Sequence, residues 1–292
     1  MVKAAAYAKV NLALEVLGRR ADGYHSVATV LQTVDLADQL SFEPASEVSV
    51  ECSEPELSNK ENLAWKAALA LQEASGSRHG ARIWIDKHIP TAMGLGGGSS
   101  DAGATLVALN RLWEVDLPAE RLEEIGRSLG ADVPFFLKGG TALGEGRGDI
   151  LKLLKPLSER WIVLVCPEIR VAGKTGRLYS MLGKTSYTNG QVTRALVNAI
   201  NLGRFSHELL FNVFEQVAFD AFPGLDRVME DMNQAGADFV HLSGTGPALY
   251  TLVSSEVEGQ RIRSKLIQNG HRAFLVKTTE ASPHLTLASD AN

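Results

Sequence analysis

The sequence predicts an α/β (α+β) protein of two lobes, and three observations lead there. The chain has 292 residues, 45% of them hydrophobic, and single cores stop growing near ~250 residues. Its first half mixes strand-like and helix-like patterns around one glycine cluster. Its second half reads strand, helix, strand, strand, helix, strand, the order of a split βαβ or ferredoxin-like sandwich. The two lobes are expected at residues 1–157 and 158–292.

The elements follow in chain order. Val10 to Leu17 alternates imperfectly and "SVATVLQTVDL" is a second β-branched run, so both predict strands. "ENLAWKAALALQEAS" carries Leu63, Ala67, Ala70 and Leu71 at helical spacing, with Gly76 as its stop. "ARIWIDKHIP" sets Ile83 and Ile85 against Arg82, Trp84 and Asp86, a strand that runs into the glycines. Beyond them Ala102, Leu106, Leu109 and Trp113 mark one helix, and Leu122, Ile125 and Leu129 a second that stops at Gly130. "KPLSER" separates the halves, and the continuous apolar "WIVLVC" opens the next as a buried strand. Helical material to about Gln234 follows, with Leu225, Val228, Met229 and Met232 closed by Gly236. Strands at "DFVHL" and "ALYTLV", a helix from Glu256 to Gln268 and a strand at "RAFLV" complete the pattern.

Charge and cysteine content narrow the function. With 29 basic against 34 acidic side chains the net charge is -5, so no excess of cations is present to neutralise a nucleic-acid backbone. Cys52 and Cys166 stand alone, which suggests neither a disulfide framework nor a zinc site. The start, "MVKAAAYAKVNLALEVLGRR", lacks the uninterrupted apolar segment of a signal peptide. No stretch approaches the ~18 apolar residues of a membrane span. A cytoplasmic protein without a nucleic-acid or membrane partner is the expectation.

The stretch "PTAMGLGGGSS", from Pro90 through Thr91, Ala92, Met93, Gly94, Leu95, Gly96, Gly97, Gly98 and Ser99 to Ser100, joins a strand to a helix. In that arrangement bare backbone amides and a helix N-terminus converge on an anion, and side chains at the glycines would block its approach. Ser99 and Ser100 are placed to cap the helix, to face phosphate oxygens, or to face a phosphate-bound magnesium ion. Asp101 in the first turn would complement the helix dipole. The competing reading is a tight turn without a ligand. A Walker loop needs a lysine after Gly98, and the dinucleotide and protein-kinase glycine loops need glycine where Ser99 stands, so all three fail.

"PTAMGLGGGSSDAGATL" resembles the second motif of the GHMP small-molecule kinases, whose glycine–serine loop wraps ATP phosphates. "AKVNLALEVLGRRADGYH" is similar to the first motif of the branch that acts on a cytidine diphosphate derivative of methylerythritol in the non-mevalonate isoprenoid route. "LGADVPFFLKGGTALGEGRGD" and "LSGTGPALY" resemble that branch's middle segment and the family's third motif, so the likeness runs to about Tyr250. It implies a two-lobed GHMP kinase fold, with an N-terminal ATP-binding domain and a C-terminal ferredoxin-like βαββαβ domain. It also implies ATP and Mg2+ as cofactors and a small-molecule substrate. Oligomeric state, monomer or weak homodimer, stays open.

The resemblance assigns roles. Asp132 becomes the catalytic carboxylate and Lys9 its partner, although by pattern alone Asp132 is a turn aspartate and Lys9 a strand lysine reaching solvent. Pro134 is expected to push Val133 out of the helical region and stiffen that backbone. Asn11 shares a strand face with Lys9 and would bind substrate. Tyr24 and His25 correspond to the family's cytidine pocket, whereas on its own "GYH" is a turn. Asn62, Leu63 and Lys87 would meet adenine, their plain readings being a helix start and a surface charge. Gly244 and Gly246 in "SGTGP" would approach the substrate phosphate or the ATP loop, or else form an unliganded hairpin connection. In "VAGKTGRLY" Thr175 and Tyr179 align to the family's V-S-T segment and its following aromatic residue, which offers Tyr179 as the second stacking ring, although Gly173 and Lys174 depart from that wording. Direct metal ligands are not identifiable. The rival readings are a homoserine- or mevalonate-kinase-like enzyme and a catalytically silent nucleotide-binding module on the same fold.

Overall fold

The computed structural model describes residues 1–280 and 284–287. Two long strands dominate the first part, β1 (Val2–Arg19) and β2 (His25–Ala45), followed by β3 (Val48–Cys52). Helix α1 (Leu63–Ser75) and strand β4 (Gly80–Asp86) precede α2 (Gly97–Leu112), α3 (Ala119–Leu129) and α4 (Val133–Lys138). The hairpin β5 (Thr141–Glu145) and β6 (Ile150–Leu153) leads to β7 (Trp161–Val165). Then come α5 (Lys174–Met181), α6 (Gln191–Asn201), β8 (Phe211–Asn212), α7 (Glu215–Ala221) and α8 (Leu225–Ala235). The chain continues through β9 (His241–Leu242), β10 (Leu249–Val253), α9 (Glu256–Gln268), β11 (Ala273–Lys277) and β12 (His284–Leu287).

Most predicted elements stand where their patterns put them. Gly76 and Gly236 close α1 and α8 in left-handed conformations at φ 70 and 103, which glycine adopts without steric cost. The strands β7, β9, β10 and β11 form one antiparallel sheet in the order β11-β7-β10-β9, the 4-1-3-2 arrangement of the ferredoxin-like sandwich with α8 and α9 on it.

Some details differ. Strands β3, β5, β6 and β8 were not foreseen: they are short, and only pairing to a neighbour stabilises them, as β4 does β3 and β2 does β5. β9 spans two residues rather than "DFVHL", because Phe239 sits at a φ of 53, outside the strand region. Ser99 and Ser100 do not cap α2; the N-cap is Gly96, in left-handed conformation at φ 75 and without a side-chain cap. Asp101 is buried rather than displayed at the first turn. Val133 is not expelled from helix but opens α4, since Pro134 falls in the first turn, where a missing amide hydrogen is harmless.

The larger sheet has the order β12-β1-β2-β4-β3, with β5 on β2, β6 on β5 and β8 parallel to β1. Helices α1, α2 and α3 cover it over a core that includes Phe42, Leu71, Ile83, Ile85, Leu106, Leu109 and Trp113. A second core joins the four-stranded sheet to α7, α8 and α9 through Val163, Phe214, Phe222, Leu225, Met232 and Ile262. A third core packs Val10 and Leu12 of β1 with Ile162 and Leu164 of β7 and Tyr250 of β10. β1 is therefore buried on both faces: Val10 and Leu12 point to this shared core, while the alternating Lys9 and Asn11 point to the opposite side. The Tyr250 hydroxyl donates to the Asn11 carbonyl at 2.8 Å, tying the two sheets beside those polar residues.

Candidate active site

The glycine loop is held by backbone contacts that only glycine permits. Gly94 has φ 83, and a Cβ there would lie 2.2 Å from the Ser243 carbonyl oxygen. At Gly96 a Cβ would lie 2.5 Å from the Phe136 ring. The Lys9 amide donates to the Leu95 carbonyl at 3.0 Å and the Ala248 amide to the Met93 carbonyl at 3.2 Å. No side chain caps α2, so the amides of its first turn remain for a ligand to accept.

A cavity of about 380 Å³ opens over these amides, lined by Asn62, Leu63, Lys87 and every loop residue from Pro90 to Ser99. Asn62 is the N-cap of α1, accepting from the Ala64 amide at 2.9 Å. Ser100 is not on the wall: it is buried and its Oγ has no hydrogen-bond partner among the described residues. Lys87 is more than a surface charge. Its ammonium lies 2.5 Å from Asp38 and 2.9 Å from Asp101, while the His88 and Ile89 amides donate to Asp38 at 2.6 and 2.8 Å. Burial and the Asp38 charge push the Asp101 carboxyl up to about 7, against the pull of Lys87. Its two carboxylate neighbours raise Lys87 against the effect of burial.

A larger cavity of about 1110 Å³ adjoins the first and shares Gly94, Gly96 and Ser99 with it. Lys9, Asn11, Tyr24, His25, Asp132, Tyr179 and Gly244 all line it. Gly246 does not; its carbonyl accepts from the Lys174 ammonium instead.

Lys9 is buried at 4% exposure. Its Nζ donates to Asn11 Oδ1 at 2.5 Å, Asn11 Nδ2 donates to Thr29 Oγ1 at 2.8 Å, and that hydroxyl donates to the Ala13 carbonyl at 2.6 Å. This relay orients the ammonium toward Asp132, whose Oδ2 lies 3.9 Å away on a side chain 39% exposed. Burial lowers the Lys9 pKa, and the Asp132 charge offsets part of that effect. A Cβ on Gly244 would come within 3.0 Å of Lys9 Nζ, so the connection between β9 and β10 closes over the lysine.

The far end of the large cavity is aromatic. The His25 and Tyr179 rings stack at 4.7 Å and 23°, and Tyr187 meets His25 edge-on at 6.0 Å. Phe214 braces Tyr179 from behind at 4.9 Å. Tyr24 is 58% exposed, with the Arg147 guanidinium 5.2 Å from its ring centroid. Burial and the Asp132 charge push the Tyr179 hydroxyl up to about 12, so it stays protonated as a donor. Burial and Arg19 lower the His25 pKa, which favours a neutral imidazole with one donor and one acceptor nitrogen. Sequence reasoning did not single out Arg147, Tyr187, Lys174 or Asp38. Lys174 was visible as a departure from the V-S-T wording, whereas the others carry no local signal.

Both lobes have known counterparts. The family described as GHMP kinases N terminal domain matches residues 62–140, and GHMP kinases C terminal matches residues 194–272. A 4-diphosphocytidyl-2-C-methyl-D-erythritol kinase from Dehalococcoides mccartyi is 42% identical over 95% of this chain and 98% of its own length. One from Bacillus cereus is 39% identical over 89% and 90%. Among solved structures, a 4-(cytidine 5'-diphospho)-2C-methyl-D-erythritol kinase superposes with TM-score 0.80 at 35% identity, over 94% of this chain and 98% of that one. Homoserine kinase from Cytophaga hutchinsonii shares the fold at TM-score 0.73 but only 19% identity, over 98% and 97% of the two chains. Identity of this extent along nearly the whole length, with both lobes matched in order, means that the chain belongs to the 4-diphosphocytidyl-2-C-methyl-D-erythritol kinase family of GHMP kinases.

Proposed function

We infer that this protein is an ATP-dependent small-molecule kinase that phosphorylates the 2-hydroxyl of 4-diphosphocytidyl-2-C-methyl-D-erythritol, a step of the non-mevalonate isoprenoid precursor route. The observation that carries the reading is the junction of the two cavities at Gly94, Gly96 and Ser99, with Lys9 and Asp132 on the wall of the larger one. A nucleoside triphosphate seated over the α2 amides presents its terminal phosphoryl group at that junction. An alcohol in the larger cavity then meets Asp132 and Lys9 at the same place.

The transfer forms a bond from the alcohol oxygen to the γ-phosphorus and breaks the bond from that phosphorus to the β,γ-bridging oxygen, releasing ADP. Asp132 orients the hydroxyl and accepts its proton. Lys9, held by Asn11 and 3.9 Å from Asp132, lowers the pKa of the hydroxyl. The α2 amides, Ser99 and Lys9 stabilise charge on the phosphate oxygens. Among the described residues no group of three or more His, Cys, Asp or Glu could hold a metal ion. Ser99 and Asp132, which both line the larger cavity, would offer a hydroxyl and a carboxylate to magnesium carried by ATP. When bound, magnesium supplies charge neutralisation on the phosphates.

The aromatic lining of the large cavity by Tyr24, His25 and Tyr179 supports the cytidine end: the base stacks on the exposed Tyr24 ring and His25 bonds its polar edge, with Tyr179 packed against His25. We place the protein in the cytoplasm: both cysteines are free and buried, and among the described residues no helix is long and apolar enough to cross a membrane. The test is ATP consumption by the purified protein with the cytidylyl substrate, homoserine and mevalonate in parallel. Turnover with the first alone is expected; turnover with either of the others and none with the first would sink the reading.

A further inference from the structure

The transfer chemistry above leaves Lys174 without a role. It opens α5, and its ammonium donates to the Gly246 carbonyl, to Thr245 Oγ1 at 3.2 Å and to the Thr245 carbonyl at 3.5 Å. Those three acceptors are neutral, and no ion pair of Lys174 with a carboxylate occurs among the described residues. Lys174 lines the large cavity together with Lys9 and Asp132. Burial first, and the Lys9 charge second, lower its pKa to about 8. Two ammonium groups thus line one cavity in which Asp132, half-exposed and 3.9 Å from Lys9, is the lining carboxylate, while the lining Arg127 and Arg147 have their own partners in Glu123 and Asp149 and Arg19 lies at the aromatic end beside His25. A pair of partly desolvated cations with one counter-charge is an incomplete set, and an anion in the cavity would complete it.

The position along the cavity indicates which anion. Tyr179, five residues further along α5, stacks on His25 at the aromatic end, about 7.5 Å of helical rise from Lys174. The opposite side of Lys174 is the Thr245–Gly246 turn, which abuts the glycine loop at Gly94. Lys174 therefore lies between the ring-binding end and the Lys9–Asp132 pair. In a molecule whose base sits at one end and whose reacting alcohol sits at the other, the diphosphate occupies that middle.

We propose that Lys174 binds the diphosphate of the cytidylyl substrate, setting the distance at which the alcohol reaches Asp132. The assignment rests on the functional reading above. On ligand entry the ammonium turns from the neutral oxygens of Thr245 and Gly246 to the charged phosphate oxygens, since charge-assisted hydrogen bonds are the stronger ones. The competing role is a structural clamp that merely fastens the turn after β9.

Calorimetric titration of cytidine, cytidine diphosphate, uridine diphosphate and an ATP analogue into the wild type, Lys174→Met and Lys174→Arg separates the possibilities. The wild type should bind cytidine diphosphate far more tightly than cytidine. Lys174→Met should shrink that preference by about 10- to 100-fold, the usual loss for a charged hydrogen bond, with cytidine and ATP-analogue affinities unchanged. Lys174→Arg, which keeps the charge, should restore most of the preference. An undiminished preference in Lys174→Met overturns the assignment, as does an equal loss for cytidine, cytidine diphosphate and ATP analogue, which marks the clamp. A wild type that does not distinguish cytidine diphosphate from uridine diphosphate overturns the cytidine reading itself. In that case a phosphate effect at Lys174 would still be visible with both nucleotides.

Discussion

At the scale of single residues, the site is built on a strand's alternation. Lys9 and Asn11 share one face of β1 because side chains repeat every two residues, while Val10 and Leu12 turn to the core between the sheets. The relay from Lys9 through Asn11 and Thr29 to the Ala13 carbonyl uses each donor in turn, so the ammonium has little freedom to swing away. Asp132 enters from the start of α4 and keeps 39% of its side chain exposed, which leaves room for an alcohol beside it. Asp132→Asn preserves shape and removes the proton acceptor. It should lower kcat by about 10²- to 10⁴-fold with the melting temperature and cytidine diphosphate affinity unaltered, as read by steady-state kinetics beside titration. Unchanged turnover would instead show that a group other than Asp132 accepts the proton.

At the scale of elements, one buried charge cluster locks three of them to the glycine loop. Asp38 comes from β2, Lys87 from the end of β4 and Asp101 from α2, all with nearly inaccessible side chains. The folded Asp101 pKa of about 7 lies above its ordinary value of 3.8. Between those two values the folded state therefore holds a proton that the unfolded chain has lost, so stability falls as pH rises through the window and levels off above it. Asp101→Asn removes that titration and leaves the Lys87–Asp38 pair. Its stability relative to the wild type should increase from pH 5 to 7 and then stay flat, as followed by urea denaturation across the range. A difference independent of pH would show that Asp101 is ionised throughout.

For the whole molecule, the decisive contact joins the glycine loop of one lobe to the β9–β10 turn of the other. Ser243 Oγ donates to the Gly94 carbonyl at 3.2 Å, and a Cβ at Gly94 would stand 2.2 Å from the Ser243 carbonyl oxygen. Gly98 differs, because its Cβ would find only Leu63, 3.8 Å away. Gly94→Ala adds an unfavourable left-handed backbone to that overlap and should destabilise the protein by about 2–4 kcal/mol. Gly98→Ala should fold as well as the wild type or better, by up to about 1 kcal/mol of helix propensity, yet weaken ATP at least about tenfold by placing a methyl group where phosphate oxygens approach. Thermal denaturation and ATP titration of the two variants check this; equal ATP affinity in Gly98→Ala would remove the loop from the phosphate site.

The legible parts of the molecule were those whose signal is local. The helix Glu256–Gln268, the strands at "WIVLVC" and "ALYTLV" and the stops at Gly76 and Gly236 follow from periodicity and backbone freedom within a few residues. The short strands β3, β5, β6 and β8 were illegible, because their hydrogen-bond partners rather than their own side chains make them strands.

Local patterning is enough to place a glycine loop before α2, to set Lys9 and Asn11 on one face, and to give the second half its ferredoxin-like order. Packing alone leaves α2 uncapped, turns Ser100 inward, sets Lys87 between two carboxylates and brings Lys174 and Lys9 onto the wall of one cavity. The reason is physical: backbone geometry acts over one turn or one pleat, whereas burial and charge pairing depend on which distant segments share a low-dielectric space, and that is settled when the sheets and helices pack.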